Sequence, residues 1–96
     1  MTIKILAVDD EPRFNRLVEA NLATEGFEVI TAKNGAEAIE MMVSESPDMV
    51  LLDVMMPDMD GFTVLDRIRE FSSVPVIMLT AKGKEADRVE GLNRGA

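Results

Sequence analysis

The chain has 96 residues, enough for one domain built around a single hydrophobic core. Its formal net charge of -8 repels nucleic acid and anionic membranes, so direct binding to DNA or to a membrane is not expected. The absence of Cys and His excludes disulfide scaffolds, thiol catalysis, Ser-His hydrolase chemistry and the usual zinc ligands within this chain, which leaves carboxylates, hydroxyls, Lys, Arg or a hard metal ion.

The first half of the chain alternates between apolar runs and helical patterns. Residues 3–8 are mostly apolar and bounded by acids, which predicts a buried strand. A helical pattern follows over residues 12–25, with Asp10 as its expected N-cap and Gly26 at its end. Residues 27–31 predict a short strand near a sheet edge. The predicted apolar face of this helix consists of Phe14, Leu17, Val18 and Leu22.

The second half repeats the alternation. A turn or cap signal at Asn34 precedes a second helix, and residues 49–52 predict an apolar strand that closes on Asp53. After a loop and a third helix, residues 74–79 predict a fourth strand, and a fourth helix is expected from about residue 84. The predicted apolar positions of the second and third helices are Ala36, Ile39, Met42, Val43, Val64, Leu65, Ile68 and Phe71.

The order of these elements predicts the fold class. Strands alternate with helices through short connections, which is typical of an α/β fold with a parallel sheet and helices on both faces. The apolar strands agree, because parallel strands are buried on both sides. We therefore expect a single domain over residues 1–96. Its N-terminal apolar run is too short for a signal peptide or a membrane span, so a cytoplasmic location is the default expectation.

Acidic side chains follow two of the predicted strands. Asp9 and Asp10 come after the first strand, and Asp53 comes after the third. In open α/β sheets ligands bind at the carboxyl ends of the strands, so the three carboxylates converge if these strands are neighbours. Their mutual repulsion favours a hard divalent cation, and all-oxygen ligation suits Mg²⁺.

A phosphoryl-transfer site is one interpretation of this pattern. A carboxylate beside Mg²⁺, here Asp53, can attack phosphorus and form an aspartyl phosphate. Thr80, at the end of the fourth strand, could donate a hydrogen bond to a phosphoryl oxygen. Such a transfer depends on positioning and electrostatics more than on a base, so the absence of His is no obstacle.

The same residues also have other interpretations. Acids before a helix are often only caps, an Asp after a strand is often a turn residue, and Thr is a common β-former. A Mg²⁺-dependent phosphohydrolase is a second function, but it usually has an acid two residues after its nucleophile, where this chain has Met55. A flavin or dinucleotide binder is disfavoured because acids replace its phosphate loop after the first strand.

Three segments resemble a known family. Residues 5–12 (ILAVDDEP), 50–61 (VLLDVMMPDMDG) and 76–81 (VIMLTA) resemble the opening, the phosphoacceptor segment and the fourth strand of response-regulator receiver domains of two-component signalling. The resemblance covers the whole chain and implies a flavodoxin-like, doubly wound parallel sheet. It is similar in particular to receivers of transcriptional regulators with winged-helix outputs.

The resemblance implies roles for single residues. Asp53 would accept a phosphoryl group from the phosphohistidine of a sensor histidine kinase, in a self-catalysed step rather than as a separate enzyme. Asp10 and Asp53 would bind Mg²⁺ directly and Asp9 through water. The backbone carbonyl of Met55 would be a further ligand, and Thr80 would be the hydroxyl that moves toward the phosphoryl group.

The sequence departs from the family pattern at its C-terminal end. The fifth strand with its aromatic residue and lysine, the fifth helix and an output domain are all missing, which indicates a truncated (βα)4 receiver with impaired phosphorylation. We expect self-association through the exposed edge of the fourth strand or the exposed face of the first helix. The alternative is a non-functional structural fragment, or an engineered piece made to study folding or assembly.

Overall fold

The computed structural model describes residues 2–54, 56 and 60–79. In chain order the elements are β1 (Lys4–Val8), α1 (Pro12–Ala23), β2 (Glu28–Ala32), α2 (Gly35–Glu45), β3 (Met49–Asp53), α3 (Gly61–Arg69) and β4 (Val76–Leu79). The predicted strands agree with these bounds to within two residues. Thr80, Met55 and the predicted fourth helix lie outside the described residues.

The described strands form one parallel sheet in the order β2-β1-β3-β4. The chain moves outward from β1 to β2 and then crosses back to β3 on the other side of β1. Because such crossovers are right-handed, α1 lies on one face of the sheet and α2 and α3 lie on the other. This arrangement confirms the predicted doubly wound, flavodoxin-like fold class.

The hydrophobic core lies between the sheet and the layer formed by α2 and α3. Alternate strand residues point into it, as the period of two along a strand requires. The core residues are Leu6, Val8, Ala32, Ala38, Met42, Val50, Leu52, Val54, Met56, Val64, Leu65, Ile68, Val76 and Met78. Ile5 and Ala7 are also buried but alternate with these positions along β1, so they face the α1 side.

The predicted apolar face of α1 is wrong at one of its four positions. Phe14, Val18 and Leu22 are only partly buried, and Leu17 is 57% exposed. The one buried residue of this helix is polar Asn15. A 3.6-residue pattern marks a broad stripe and does not say which position faces the sheet.

The predicted apolar face of α2 is only partly right. Met42 is buried as predicted, but Ala36 is exposed and Val43 is 71% exposed. Gly35 and Ala38, which were not predicted to face the core, are buried beside Met42. In α3, Val64, Leu65 and Ile68 are buried as predicted, whereas Phe71 follows the helix and is half exposed.

The helix termini confirm one predicted cap and overturn another. The N–H of Glu37 donates to Asn34 Oδ1 at 2.8 Å, so Asn34 caps α2. The N–H of Thr63 donates to Asp60 Oδ1 at 2.9 Å in the same way at α3. Asp10 does not cap α1: the capping position is held by Glu11, without a side-chain cap. Three acids precede this helix, and the carboxylate of Asp10 belongs to a cluster instead.

Lys4 and Asp48 join β1 to the start of β3 at the amino-terminal edge of the sheet. The N–H of Lys4 donates to Asp48 Oδ2 at 2.8 Å, and the N–H of Asp48 donates to the Lys4 carbonyl at 2.7 Å. Lys4 Nζ also lies 3.2 Å from Glu45 Oε1. These contacts fix the register of the two central strands.

Among the described residues, not one helix combines the length and the apolar character that crossing a membrane requires.

Candidate functional site

Three carboxylates meet at the carboxyl ends of β1 and β3. The register pairs Val8 with Leu52, so the residues that follow these two positions lie side by side. One oxygen from each of Asp9, Asp10 and Asp53 can be chosen so that all three atoms lie within 4.8 Å of one another. The structure thus brings together the three acids that the sequence predicted.

The three carboxylates differ in their exposure to solvent. Asp9 is 2% exposed and Asp53 is 3% exposed, whereas Asp10 is exposed. Two of the three carboxylates are therefore buried, and the third faces solvent. A cation arriving from solvent would meet Asp10 first and then reach the two buried acids.

Asp9 is held in place by its own backbone and by one of its side-chain oxygens. Its N–H donates to the Ala32 carbonyl at 3.1 Å, which extends the pairing of β1 with β2. Its Oδ1 accepts from the Glu11 N–H at 2.8 Å. Its Oδ2 is buried and has no hydrogen-bond partner. A buried carboxylate oxygen without a donor is destabilising, so this atom is suited to a cation.

The pKa of Asp9 is shifted by the same buried, acidic surroundings. Burial raises the pKa of its carboxyl from the ordinary value of 3.8 to about 6, and the charges of Asp53 and Asp10 act in the same direction. The hydrogen bond from the Glu11 amide lowers this pKa and offsets only part of the increase. The fold therefore holds negative charge together at a cost in free energy, which a divalent cation would relieve.

The residues present fit Mg²⁺ by their chemistry. The cluster offers only oxygen atoms, which are the ligands that this small, hard ion prefers. The unpartnered Oδ2 of Asp9 and its raised pKa both indicate that the negative charge of this residue is poorly compensated.

Asp53 is positioned by the end of β3 and by the start of α3. It pairs with Leu79 of β4, and the N–H of Val54 donates to the Leu79 carbonyl at 3.0 Å. The N–H of Gly61 then donates to the Val54 carbonyl at 2.9 Å. A side chain at Gly61 would place its Cβ only 2.6 Å from the Asp53 carbonyl oxygen. The lack of a side chain thus lets α3 begin directly against the phosphoacceptor candidate.

Sequence reasoning missed two residues that position this site. Gly61 was given no role of its own in the loop before the third helix, although a glycine directly after an acidic loop is a signal of close backbone approach. Asn15 was not singled out, although a polar residue inside an apolar helical stripe is a signal of a buried hydrogen bond. The predicted roles of Thr80 and Met55 fall outside the described residues and stay predictions.

Comparison with known proteins identifies the family. A model of the response regulator receiver domain matches residues 5–96. The chain belongs to the response regulator receiver family. Receivers of this family are phosphoacceptor signalling modules that partner with sensor histidine kinases, and they are not classical enzymes.

Relatives of this receiver include regulators and solved receiver structures. It is 52% identical over 93 residues to the probable transcriptional regulator ycf27 of Porphyra purpurea, covering 97% of this chain and 38% of that protein. Chemotaxis protein CheY4 of Vibrio cholerae superposes with a TM-score of 0.87 at 34% identity, covering 100% of this chain and 82% of that one. The BeF3-activated receiver domain of Klebsiella pneumoniae RstA gives 0.88 at 33% identity, covering 97% and 80%.

The receiver spans well under half the length of the curated relatives that it matches. The comparison therefore shows the receiver fold and the receiver's signalling role, which belong to this part of the relatives' length.

Proposed function

We propose that this receiver takes a phosphoryl group onto Asp53 from the phosphohistidine of a sensor histidine kinase. The observation that carries the proposal is the position of Asp53, buried at the end of a central strand with two further carboxylates beside it. Asp10 and Asp53 would hold Mg²⁺ directly and Asp9 would hold it through water. The Met55 carbonyl and the Thr80 hydroxyl keep the roles that the family resemblance implies.

The chemistry needs little beyond this arrangement. An oxygen of Asp53 forms the new bond to phosphorus, and the bond between phosphorus and the kinase imidazole breaks, with its electron pair leaving on that nitrogen. Bound Mg²⁺ would neutralise charge on the transferring group. The chain itself orients Asp53 through the end of β3, and burial keeps competing water away from its carboxylate. No general base is required, in agreement with the absence of His.

Similarity also supports a regulatory setting. The ycf27 relative is described as a probable transcriptional regulator, and the RstA receiver as BeF3-activated. We infer that the present receiver controls an output domain that is not part of this sequence. The cytoplasmic location and the single-domain organisation over residues 1–96 stay predictions.

The decisive experiment is intact-mass spectrometry after incubation with acetyl phosphate and Mg²⁺. We expect one added phosphoryl group in the unmodified chain and none in Asp53→Asn or without Mg²⁺. Asp48→Asn is the matched control, because Asp48 precedes β3 at the opposite edge of the sheet. Phosphoryl uptake by folded Asp53→Asn, or its absence from the folded unmodified chain, would contradict the proposal.

We also propose that the chain self-associates. Leu17 on α1 is 57% exposed and Ile77 on β4 is 43% exposed, which leaves apolar surface in contact with water on a helix face and on an outer strand of the described sheet. Covering such surface is favourable in proportion to the apolar area removed from water.

A further inference from the structure

Asn15 occupies an unusual place in α1. It is 6% exposed and is the only buried residue of this helix. The apolar residues of the same helix are only partly buried or exposed, so Asn15 is the side chain that α1 buries most deeply. The hydrogen bonds of this one amide therefore contribute to the attachment of α1 to the sheet near its N-terminus.

These hydrogen bonds close a ring at the edge of the acidic site. Asn15 Nδ2 donates to the Asp9 carbonyl at 3.0 Å and to the Ala32 carbonyl at 3.2 Å. The N–H of Asp9 donates to the same Ala32 carbonyl at 3.1 Å. Two carbonyls on one side of the amide require its NH₂ group there, so the orientation of Asn15 follows from its partners.

The carbonyl oxygen of the Asn15 amide makes no hydrogen bond. Its Oδ1 is buried and has no hydrogen-bond partner. A buried acceptor without a donor opposes folding. Asn15 therefore makes its hydrogen bonds only on the side that faces the Asp9 and Ala32 carbonyls.

This ring of hydrogen bonds holds the backbone of Asp9, which leads into Asp10. The backbone N–H of Asp9 is fixed by Ala32, its carbonyl is fixed by Asn15, and its Oδ1 is fixed by the Glu11 N–H. The carbonyl that Asn15 holds belongs to the peptide bond joining Asp9 to Asp10. Rotation of that peptide would move both carboxylates away from Asp53.

We propose that Asn15 is a positioning residue for divalent-cation binding, which it supports by locking the Asp9–Asp10 peptide. This inference rests on the proposed Mg²⁺ site. Asn15 itself does not touch the cation: it sets the orientation of Asp10, which would bind the cation directly, and of Asp9, which would bind it through water. Partners that orient metal ligands typically change metal affinity by about 10- to 100-fold when they are removed.

The test compares Mg²⁺ dissociation constants measured by isothermal titration calorimetry on the full 96-residue chain. Asn15→Ala and Asn15→Leu each remove both donated hydrogen bonds, and Leu, which branches at Cγ as Asn does, leaves no cavity if Ala fails to fold. We expect each variant to raise the dissociation constant at least about 10-fold. Asn21→Ala, an exposed asparagine on the same helix, is the matched control and should leave it unchanged.

A second readout needs no metal. Amide hydrogen exchange of Asp9 and Glu11, measured by NMR in the metal-free chain, should be faster in both Asn15 variants than in Asn21→Ala. An unchanged Mg²⁺ dissociation constant in a folded Asn15 variant would overturn this inference and leave the proposed function standing. An unmodified chain that binds no Mg²⁺ would overturn both.

Discussion

The α3 helix begins so close to β3 that a Cβ on Gly61 would lie 2.6 Å from the carbonyl oxygen of Asp53 and 2.8 Å from the Cα of Val54. Both neighbours are backbone atoms, which cannot rotate away as a flexible side chain can. The same glycine donates its N–H to the Val54 carbonyl. Tight packing and a hydrogen bond therefore join the helix to the segment that presents the phosphoacceptor.

We predict that Gly61→Ala lowers both stability and phosphoryl uptake. Overpacking of this kind costs about 1–3 kcal/mol of unfolding free energy, and relief of the contact would shift Asp53. Urea denaturation measures the first effect and intact mass after acetyl phosphate treatment measures the second. Gly26→Ala is the control: its φ of +92° makes Ala strained, but nothing lies within 4 Å of a Cβ there. The control should lose stability and retain uptake, and equal uptake by the two variants would contradict the prediction.

We predict that Asp9→Asn stabilises the metal-free chain at neutral pH. The folded chain holds the Asp9 proton more tightly than the unfolded chain, because its pKa is raised from 3.8 to about 6. Asp9 therefore reduces stability as the pH rises through that window, by up to about 3 kcal/mol above pH 6. The Asn variant avoids this loss while its side-chain oxygen can still accept from Glu11.

The measurement for Asp9 is chemical denaturation in EDTA at about pH 4 and pH 7.5. Other carboxylates titrate in both proteins, so the difference between the two curves isolates this residue. The variant and the unmodified chain should be similar in stability at the lower pH and differ at the higher one. If the variant and the unmodified chain differ in unfolding free energy by the same amount at both pH values, the pKa of Asp9 is not raised in the folded chain.

We predict that Asn34→Ala destabilises the chain by about 1 kcal/mol without affecting the acidic site. The side chain of Asn34 accepts from the Glu37 N–H, which α2 cannot satisfy internally. Asn21→Ala removes an exposed asparagine within α1 and should stay within about 0.5 kcal/mol of the unmodified chain. Thermal unfolding followed by circular dichroism compares the two, and equal losses would contradict the capping role.

We predict that Leu17→Lys or Ile77→Lys weakens self-association. Each places a charge on apolar surface that a second copy would cover. Val43→Lys is the control, since Val43 is also exposed but lies on α2, which packs on the opposite face of the sheet from α1 and contacts β1 and β2. Sedimentation velocity at tens of micromolar measures the effect. A monodisperse monomer for the unmodified chain would show that these surfaces stay open to water.

The order of the elements was predictable because each strand is a nearly continuous apolar run. Such runs specify a sheet buried on both faces, and the short connections specify parallel crossovers. Once β1 and β3 are neighbours, the convergence of Asp9 and Asp53 follows from topology alone. This part of the site needed no knowledge of side-chain packing.

Other features depend on packing, which no local pattern encodes. Val43 fits the helical period as well as Met42 does, but only the docking angle of α2 decides which one is buried. Asp10 has the right chemistry for an N-cap, yet the chain turns one residue later and Glu11 takes that position. The burial of Asn15 depends on carbonyl groups from two strands that the sequence does not show to be adjacent to it.

The contacts of Lys4 with Asp48 and Glu45 lie at the opposite end of β1 from the acidic cluster. Five residues of strand at about 3.3 Å each separate Lys4 from Asp9 by about 16 Å. That distance exceeds the Debye length of about 10 Å in 0.1 M salt, so exposed charges at the two edges are largely screened from each other. Charge substitutions around Lys4 are therefore largely screened from the exposed Asp10, and they can change the stability of the sheet with little effect on the charge that faces solvent at the acidic site.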